Sequence, residues 1–442
     1  MSFQRTRCSL ALALWGAMMS QAVGCGAQMQ PPQLMPLGQA WAANSINTVV
    51  FRADPISTHG QRQYAAYYDA DGRVVIATRS IGQRHWRSTV TDLRGNIKDA
   101  HNAISIMADG RGMLHVSWDH HGHPLRYALG ASADRLKIVP MTGRNEQKVT
   151  YPQFFQLPGG DLLFLFRDGA SGRGNLVMNR YDLKRREWQQ LHANLISGEE
   201  QRNAYWQTTI DSRGRIHLSW VWRETGDVAT NHDLCYARSD DGGETWLRSD
   251  GSRYELPITA ATAEVALQIP QKHELINSTS MCADDDGRPI IATYFRPQGE
   301  RVVQYFVVHH DGSAWRSTQV TQRTMPFSLS GGGSKQIPIS RPQIVSRSEG
   351  GKTRVWMVFR DIERGNRVSV AYCGDLARPH WKVRDLTHFG VRYWEPSYDS
   401  VRWKLDGVLS LYVQVAGQGD AETLEDVPPQ TAYVLEWIPS VE

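Results

Sequence analysis

His101, His121, Tyr151 and Arg167 are the side chains of this sequence whose types suit proton transfer beside an anion. Histidine exchanges a proton near neutral pH more readily than any other side chain. The run Asp119-His120-His121-Gly122-His123 gathers histidines where comparable segments of the chain carry Arg. Those segments end in Arg79, Arg167, Arg223, Arg296 and Arg360, each behind an apolar run. Arginine presents a planar fork of donors that grips carboxylates and sulfates in bidentate fashion, which Lys does less well. With Tyr205, Trp206, Tyr393 and Trp394 as flat platforms, the set describes a funnel for an acidic polysaccharide. Taken singly, an Arg beside Asp168, Glu224 or Asp361 could equally tie its own loop together.

The elements that must position these residues recur. Turns at Asp71-Gly72-Arg73, Asp109-Gly110-Arg111-Gly112, Gly159-Gly160-Asp161, Ser212-Arg213-Gly214-Arg215, Asp286-Gly287-Arg288, Gly350-Gly351-Lys352 and Asp406-Gly407 are each followed by a strand-like apolar run, such as Leu162-Leu163-Phe164-Leu165-Phe166. A fixed unit of this kind is the mark of a repeat architecture, and seven turns imply seven units. The turns stand roughly 40 to 70 residues apart, too far for one strand per turn as a sandwich or β-helix would need. The expected fold is all-β, a seven-bladed β-propeller. In a blade the innermost strand starts on one face of the ring and the second returns to it, so the residues above should meet around one end of the axis.

Hydrophobic residues make up 41% and charged residues 21% of the 442-residue chain, enough for a large strand-based core. Arg5 and Arg7, an apolar run from Leu10 to Met19 and the Gly24-Cys25 junction have the layout of a secretory signal with a lipidation site at Cys25. The run is far short of the ~20 residues that span a bilayer. Residues 1–24 are expected to be a cleaved signal, 25–44 a linker and 45–442 the propeller. Such a chain would be an exported, monomeric outer-membrane lipoprotein, periplasmic or extracellular, touching the membrane only through its lipid. Loss of the two signal arginines lowers the net charge from +4 to +2, too little to argue for nucleic acid. Cys235, Cys282 and Cys373 are odd in number and far apart, so no disulfide framework is implied.

The segment Ser239-Asp240-Asp241-Gly242-Gly243-Glu244-Thr245-Trp246 matches the Asp-box of neuraminidase-type repeats, a structural turn between outer strands. Asp99-Ala100-His101-Asn102, the stretch Gly112 to His121, Tyr151-Pro152-Gln153-Phe154, Phe166-Arg167-Asp168-Gly169, Asn231 to Ser239 and Leu275 to Ser280 carry a broader resemblance. From about Asn47 to Pro439 the chain resembles the BNR-repeat polysaccharide lyases, which include ulvan lyases and rhamnosyl-glucuronate lyases. The resemblance implies that His121 and Tyr151 are the proton-transfer pair, with His101 beside them, Arg167 on a uronate carboxylate and Tyr205 lining the sugar subsites. Arg223, His232, Arg296, Arg360 and Arg79 are the further expected substrate contacts. β-Elimination at a 4-linked uronic acid needs these types: a group to take the C5 proton, a cation on the carboxylate and a donor for the leaving O4. His121 could be the base and Tyr151 the acid, or Tyr151 could do both on glucuronate.

A sialidase-like hydrolase would instead need an arginine triad, for which Arg79, Arg223 and Arg360 are available, but Ile269-Pro270 and Ile337-Pro338 lack the preceding Arg of that signature. A non-catalytic glycan-binding propeller is the third reading. No cofactor is required, although His217, His232, Cys235 and His273 are ligand types that a structural cation could use.

Overall fold

The computed structural model describes residues 31–49, 51, 54–277 and 280–439. The expected signal over 1–24 and the lipidation site at Cys25 lie outside them. Seven antiparallel sheets follow one another around a ring, and the chain is a seven-bladed β-propeller. The apolar runs are the buried second strands: Leu162–Ala170 of blade three and Ile216–Arg223 of blade four have every core-facing residue covered. Side chains from neighbouring blades interlock between sheets, as where Met178, Leu191 and Trp246 of blades three and four join one cluster.

The ring is closed by a strand the sequence did not mark. Gln33–Ala40, expected within a linker, pairs antiparallel with Gln430–Trp437 and forms the outer strand of blade seven. Leu37 and Met35 of this strand are buried. An N-terminal strand hydrogen-bonded to the C-terminal one locks the first residues of the domain to the last.

Two repeat units depart from the expected order. In blade one the strands run Ile56–His59, Arg62–Tyr68, Arg73–Ser80 and Arg87–Arg94, so Asp71-Gly72-Arg73 joins the second strand to the third instead of the first to the second. In blade seven the helix Ser400–Asp406 stands where the turn was expected, capped by the Asp399 carboxylate accepting from the Arg402 N–H and ended by Gly407 at φ +62°. The Ser239–Trp246 segment is a turn leaving the third strand of blade four: Asp241 accepts from the Thr245 hydroxyl at 2.7 Å and the Trp246 ring is fully buried.

Candidate active site

His101, His121, Tyr151, Arg167, Tyr205, Arg223, Arg360 and Tyr393 line one cavity of about 270 Å³ at an end of the propeller axis. Each arrives there for a local reason. His101 sits in a tight turn in which its own N–H donates to the Asp99 carboxylate at 2.9 Å. After blade two's second strand Leu114–Ser117, Asp119 takes φ +65° and the chain crosses to blade three, where His121–His123 adds a short strand beside Val149–Gln156. Thr150 is the register partner of His121, which puts His121 next door to Tyr151.

Tyr151 owes its position to a break in the ladder. Pro152 has no N–H to donate, and between Thr150 and Gln153 the register shifts against Leu162–Ala170. Tyr151 takes φ +56°, a left-handed conformation that costs an L-residue roughly 1–2 kcal/mol. Its ring turns into the cavity, edge-on to Phe51 at 4.8 Å and beneath the Arg167 guanidinium at 5.0 Å. Arg167 is buried with no hydrogen-bond partner on Nε or Nη1. An unpaired buried guanidinium is costly, so an anionic ligand is the natural complement.

The two catalytic candidates of the histidine type form a charge cluster. Nδ1 of His101 lies 2.8 Å from one oxygen of Asp99 and 3.1 Å from Glu422, and Nδ1 of His121 lies 2.7 Å from the other Asp99 oxygen. Burial works against a charged His101, yet the hydrogen bonds and charges of Asp99 and Glu422 outweigh it and push its pKa up to about 9. Burial and the neighbouring His101 charge hold His121 below the usual histidine value despite its bond to Asp99. Burial pushes the Tyr151 phenol up. Tyr205 is buried too, but the charges of Arg223 and Arg167 and a 2.9 Å hydrogen bond from Arg223 pull its phenol down. The ligand-type atoms of Asp99, His101 and His121 lie within 4.8 Å of one another. Each histidine Nδ1 faces a carboxylate oxygen, which makes this a hydrogen-bonded acid–imidazole group. Its chemistry at neutral pH is a neutral imidazole with a free Nε2, a protonated phenol and a cationic guanidinium around one space.

Other expected contacts go elsewhere. Arg79 falls at the end of a third strand because blade one's turn joins strands two and three. It bonds Gln63 and Glu436, and Gln63 adjoins the turn between Ile56–His59 and Arg62–Tyr68. That turn packs on Gly112 of blade two, at the end of the inner strands opposite His101. The arginine triad of a sialidase is therefore not assembled. Arg296 pairs with Glu274 at 2.7 Å, and His232 with Glu224 at 2.9 Å and Asp233 at 3.1 Å, all outside the cavity lining. Arg360 does line the cavity, but it donates to the carbonyls of Trp394 and Ile337 and to Asn366. Trp394 is no platform: it is fully buried with Nε1 donating to the Tyr412 carbonyl at 2.7 Å. Trp206 lines a second cavity deeper along the axis. His217, His232, Cys235 and His273 are not brought together; His217 bonds the Tyr236 hydroxyl at 2.8 Å and His273 the Arg296 carbonyl at 2.7 Å.

Asp99, Glu422, Phe51 and the ion pair of Arg341 with Glu395, 2.6 Å apart, are parts of the site that sequence reasoning did not single out as functional. Asp99 carried a signal, since a carboxylate two residues before a histidine readily bonds it. Glu422, more than 300 residues from His101, carried none.

The model of BNR repeat-containing family members matches residues 62–323. The short isoform of ulvan lyase from Alteromonas sp. (strain LOR) is 28% identical over 145 residues, 29% of this chain and 28% of that protein. The long isoform of ulvan lyase from Glaciecola sp. (strain KUL10) is 27% identical over 158 residues, 26% of this chain and 15% of that protein. The matched stretch thus spans less than a third of either relative. Among solved structures, the polysaccharide lyase Uly1 superposes with a TM-score of 0.69 at 14% identity, over 94% of this chain and 100% of that one. An ulvan lyase of family PL25 bound to -[GlcA(1-4)Rha3S]- does so with a TM-score of 0.60 at 14% identity, over 90% of this chain and 96% of that one. At such identity these structures bear on the fold, which is theirs. With the family model covering more than half of its length, the chain belongs to the BNR repeat-containing family.

Proposed function

We propose that this protein is a polysaccharide lyase that cleaves a rhamnosyl-(1→4)-uronate linkage of an acidic polysaccharide, of the ulvan or gum arabic type, by β-elimination. The observation that carries the reading is the unpartnered Arg167 guanidinium poised over Tyr151, with the paired histidines alongside. Ulvan lyases among the relatives, and a propeller lyase bound to a glucuronate-rhamnose repeat, support it.

In the proposed reaction Arg167 binds the uronate carboxylate and takes up the negative charge that spreads into it as C5 loses its proton. His121 Nε2, a neutral lone pair because Nδ1 addresses Asp99, accepts the C5 proton. The C5–H electrons form the C4–C5 double bond, the C4–O4 bond breaks, and the Tyr151 O–H delivers a proton to O4. Burial keeps the Tyr151 proton on and makes the phenol a poor base, which favours the two-residue scheme over one in which Tyr151 acts alone. Tyr205 and Arg223 line the next stretch of the cavity as sugar contacts.

Incubation with a panel of ulvan, gum arabic and other acidic glycans tests the reading by mass spectrometry of the products. Fragments that lack the water of hydrolysis are expected; hydrated fragments, or no cleavage by folded protein, would sink it. Export with a lipid on Cys25 belongs to the same proposal, resting on the Arg5 to Cys25 layout. Mass analysis of the mature N-terminus in a bacterial host checks it.

A further inference from the structure

The segment Ser330-Gly331-Gly332-Gly333-Ser334-Lys335 lies in the long connection between Trp315–Gln319 of blade five and Gln343–Glu349 of blade six. Gly332, Gly333, Ser334 and Lys335 form part of the active-site wall. The segment is a strap from blade four to blade seven. At one end the Gly331 N–H donates to Asp227 at 2.6 Å, beside the turn that follows blade four's second strand. At the other, Ser334 exchanges two bonds with the 420–422 turn of blade seven: its N–H donates to Glu422 at 2.7 Å, and its carbonyl accepts from Ala421 at 2.9 Å. The contact is close enough that a Cβ on Gly333 would stand 2.9 Å from the Ala421 Cα.

Glu422 is not only a strap anchor. The oxygen that accepts from Ser334 also lies 3.1 Å from His101 Nδ1, and the other oxygen accepts from the Ala100 N–H at 3.0 Å. Ala421 and Glu422 are held at φ +52° and +66°, successive left-handed residues of the kind that surrounding structure must enforce. One carboxylate therefore touches the strap, the His101 ring and the backbone of the His101 turn.

We propose that Glu422 is a positioning residue that couples the strap to the histidine pair, so that seating of Ser334 and retention of the His101 proton stand or fall together. The coupling is reciprocal by linkage: whatever stabilises charged His101 tightens the strap to the same degree. The charged and titratable groups around His101 are Asp99 from its own turn, Glu422 from blade seven, His121 from the crossing strand and Tyr151 from blade three. Asp99 bonds both histidines, whereas Glu422 bonds only His101 of the two, which makes it the separable contact. The consequence for catalysis rests on the lyase reading, because a loosened strap opens the sugar cavity while His101 loses its charge.

Glu422→Gln in the full chain tests the coupling without substrate. Hydrogen exchange of the 331–335 amides is expected to quicken by about tenfold, and the His101 midpoint, followed by NMR, to fall by about one pH unit. If either stays at its wild-type value the coupling is wrong: an unchanged His101 would leave Glu422 a loop anchor, and an unchanged strap would leave it a charge partner. Wild-type protein answers the same question should the variant fail to fold. Strap protection, corrected for intrinsic exchange, is expected to drop as His101 titrates near pH 9, and protection that stays flat through that range would overturn the proposal. Inactivity toward every glycan would sink the lyase reading while leaving these readouts untouched.

Discussion

The imidazole of His101 lies flat against that of His121, ring centres 4.0 Å apart and planes within 15°. Two cations at that distance repel strongly when partly buried, and the two rings share the carboxylate of Asp99 between them. The pair is therefore most stable with one proton charge, and Glu422 directs that charge to His101. His121 is left as the neutral member, with its Nε2 available for proton abstraction.

The pH dependence follows from this division. Burial and the His101 charge lower the His121 pKa, so the base is formed as pH rises and activity is lost on the acid side below the usual histidine range. His101 is raised to about 9; its stabilising charge is fully present below pH ~6.5 and is lost as pH rises through 9. A plot of kcat/KM against pH is expected to be bell-shaped, with the alkaline limb near 9 tracking the His101 NMR titration. An alkaline limb unmoved in Glu422→Gln would detach it from His101.

Removing the shared carboxylate should disturb both rings. Asp99→Asn takes an anion from each Nδ1, so His101 titrates at lower pH and His121 loses the bond that orients its Nε2. Activity is expected to fall by roughly 10²-fold or more, the scale of a general-base contribution. NMR titration of both imidazoles and steady-state kinetics on the same sample check this.

Arg167→Lys keeps a charge but loses the fork over Tyr151. Loss of one stabilising donor at developing negative charge costs roughly 10²–10³-fold in kcat, and that is the expected loss here, with a smaller rise in KM. A lysine variant with near-wild-type kcat would mean that point charge alone suffices.

Arg79 separates the proposed lyase site from a sialidase-like triad. Its guanidinium is buried against Gln63 and Glu436 on the far side of the ring. Arg79→Ala is expected to destabilise the fold by about 1–3 kcal/mol, the cost of leaving the buried Gln63 oxygen and the partly buried Glu436 without their donor, while the kcat of the folded fraction stays unchanged. Thermal unfolding paired with active-site titration distinguishes the two effects.

Much of this was legible in the chain. The seven turn-and-strand units are written in Gly-containing turns and largely apolar runs, because the strand that follows each turn is mostly buried within its blade. The rim residues His101, His121 and Tyr151 could be found because they break that repeat, and Arg167 because it stands at the repeat's recurring arginine position. Arg79 was misplaced for a physical reason: a turn of the same composition can join strands one and two or strands two and three, and blade one uses the latter. Gln33–Ala40 escaped notice because its partner Gln430–Trp437 lies at the other end of the chain. Glu422 was hidden likewise, since only ring closure brings it to His101. Trp394, read as a platform, fills the core because an aromatic ring beside a polar rim packs inward as readily as outward.

The most direct test is Tyr151→Phe, which deletes one oxygen from a buried ring and keeps its packing against Phe51 and Arg167. Wild-type and variant protein are incubated with a rhamnosyl-uronate polysaccharide and the unsaturated uronate is followed by its ultraviolet absorbance. The expected result is steady product from wild type and a rate at least about 10³-fold lower from the variant, with glycan affinity retained. A variant that forms unsaturated product at the wild-type rate would contradict the assignment of Tyr151 as the proton donor, and wild-type cleavage without unsaturated product would contradict the elimination itself.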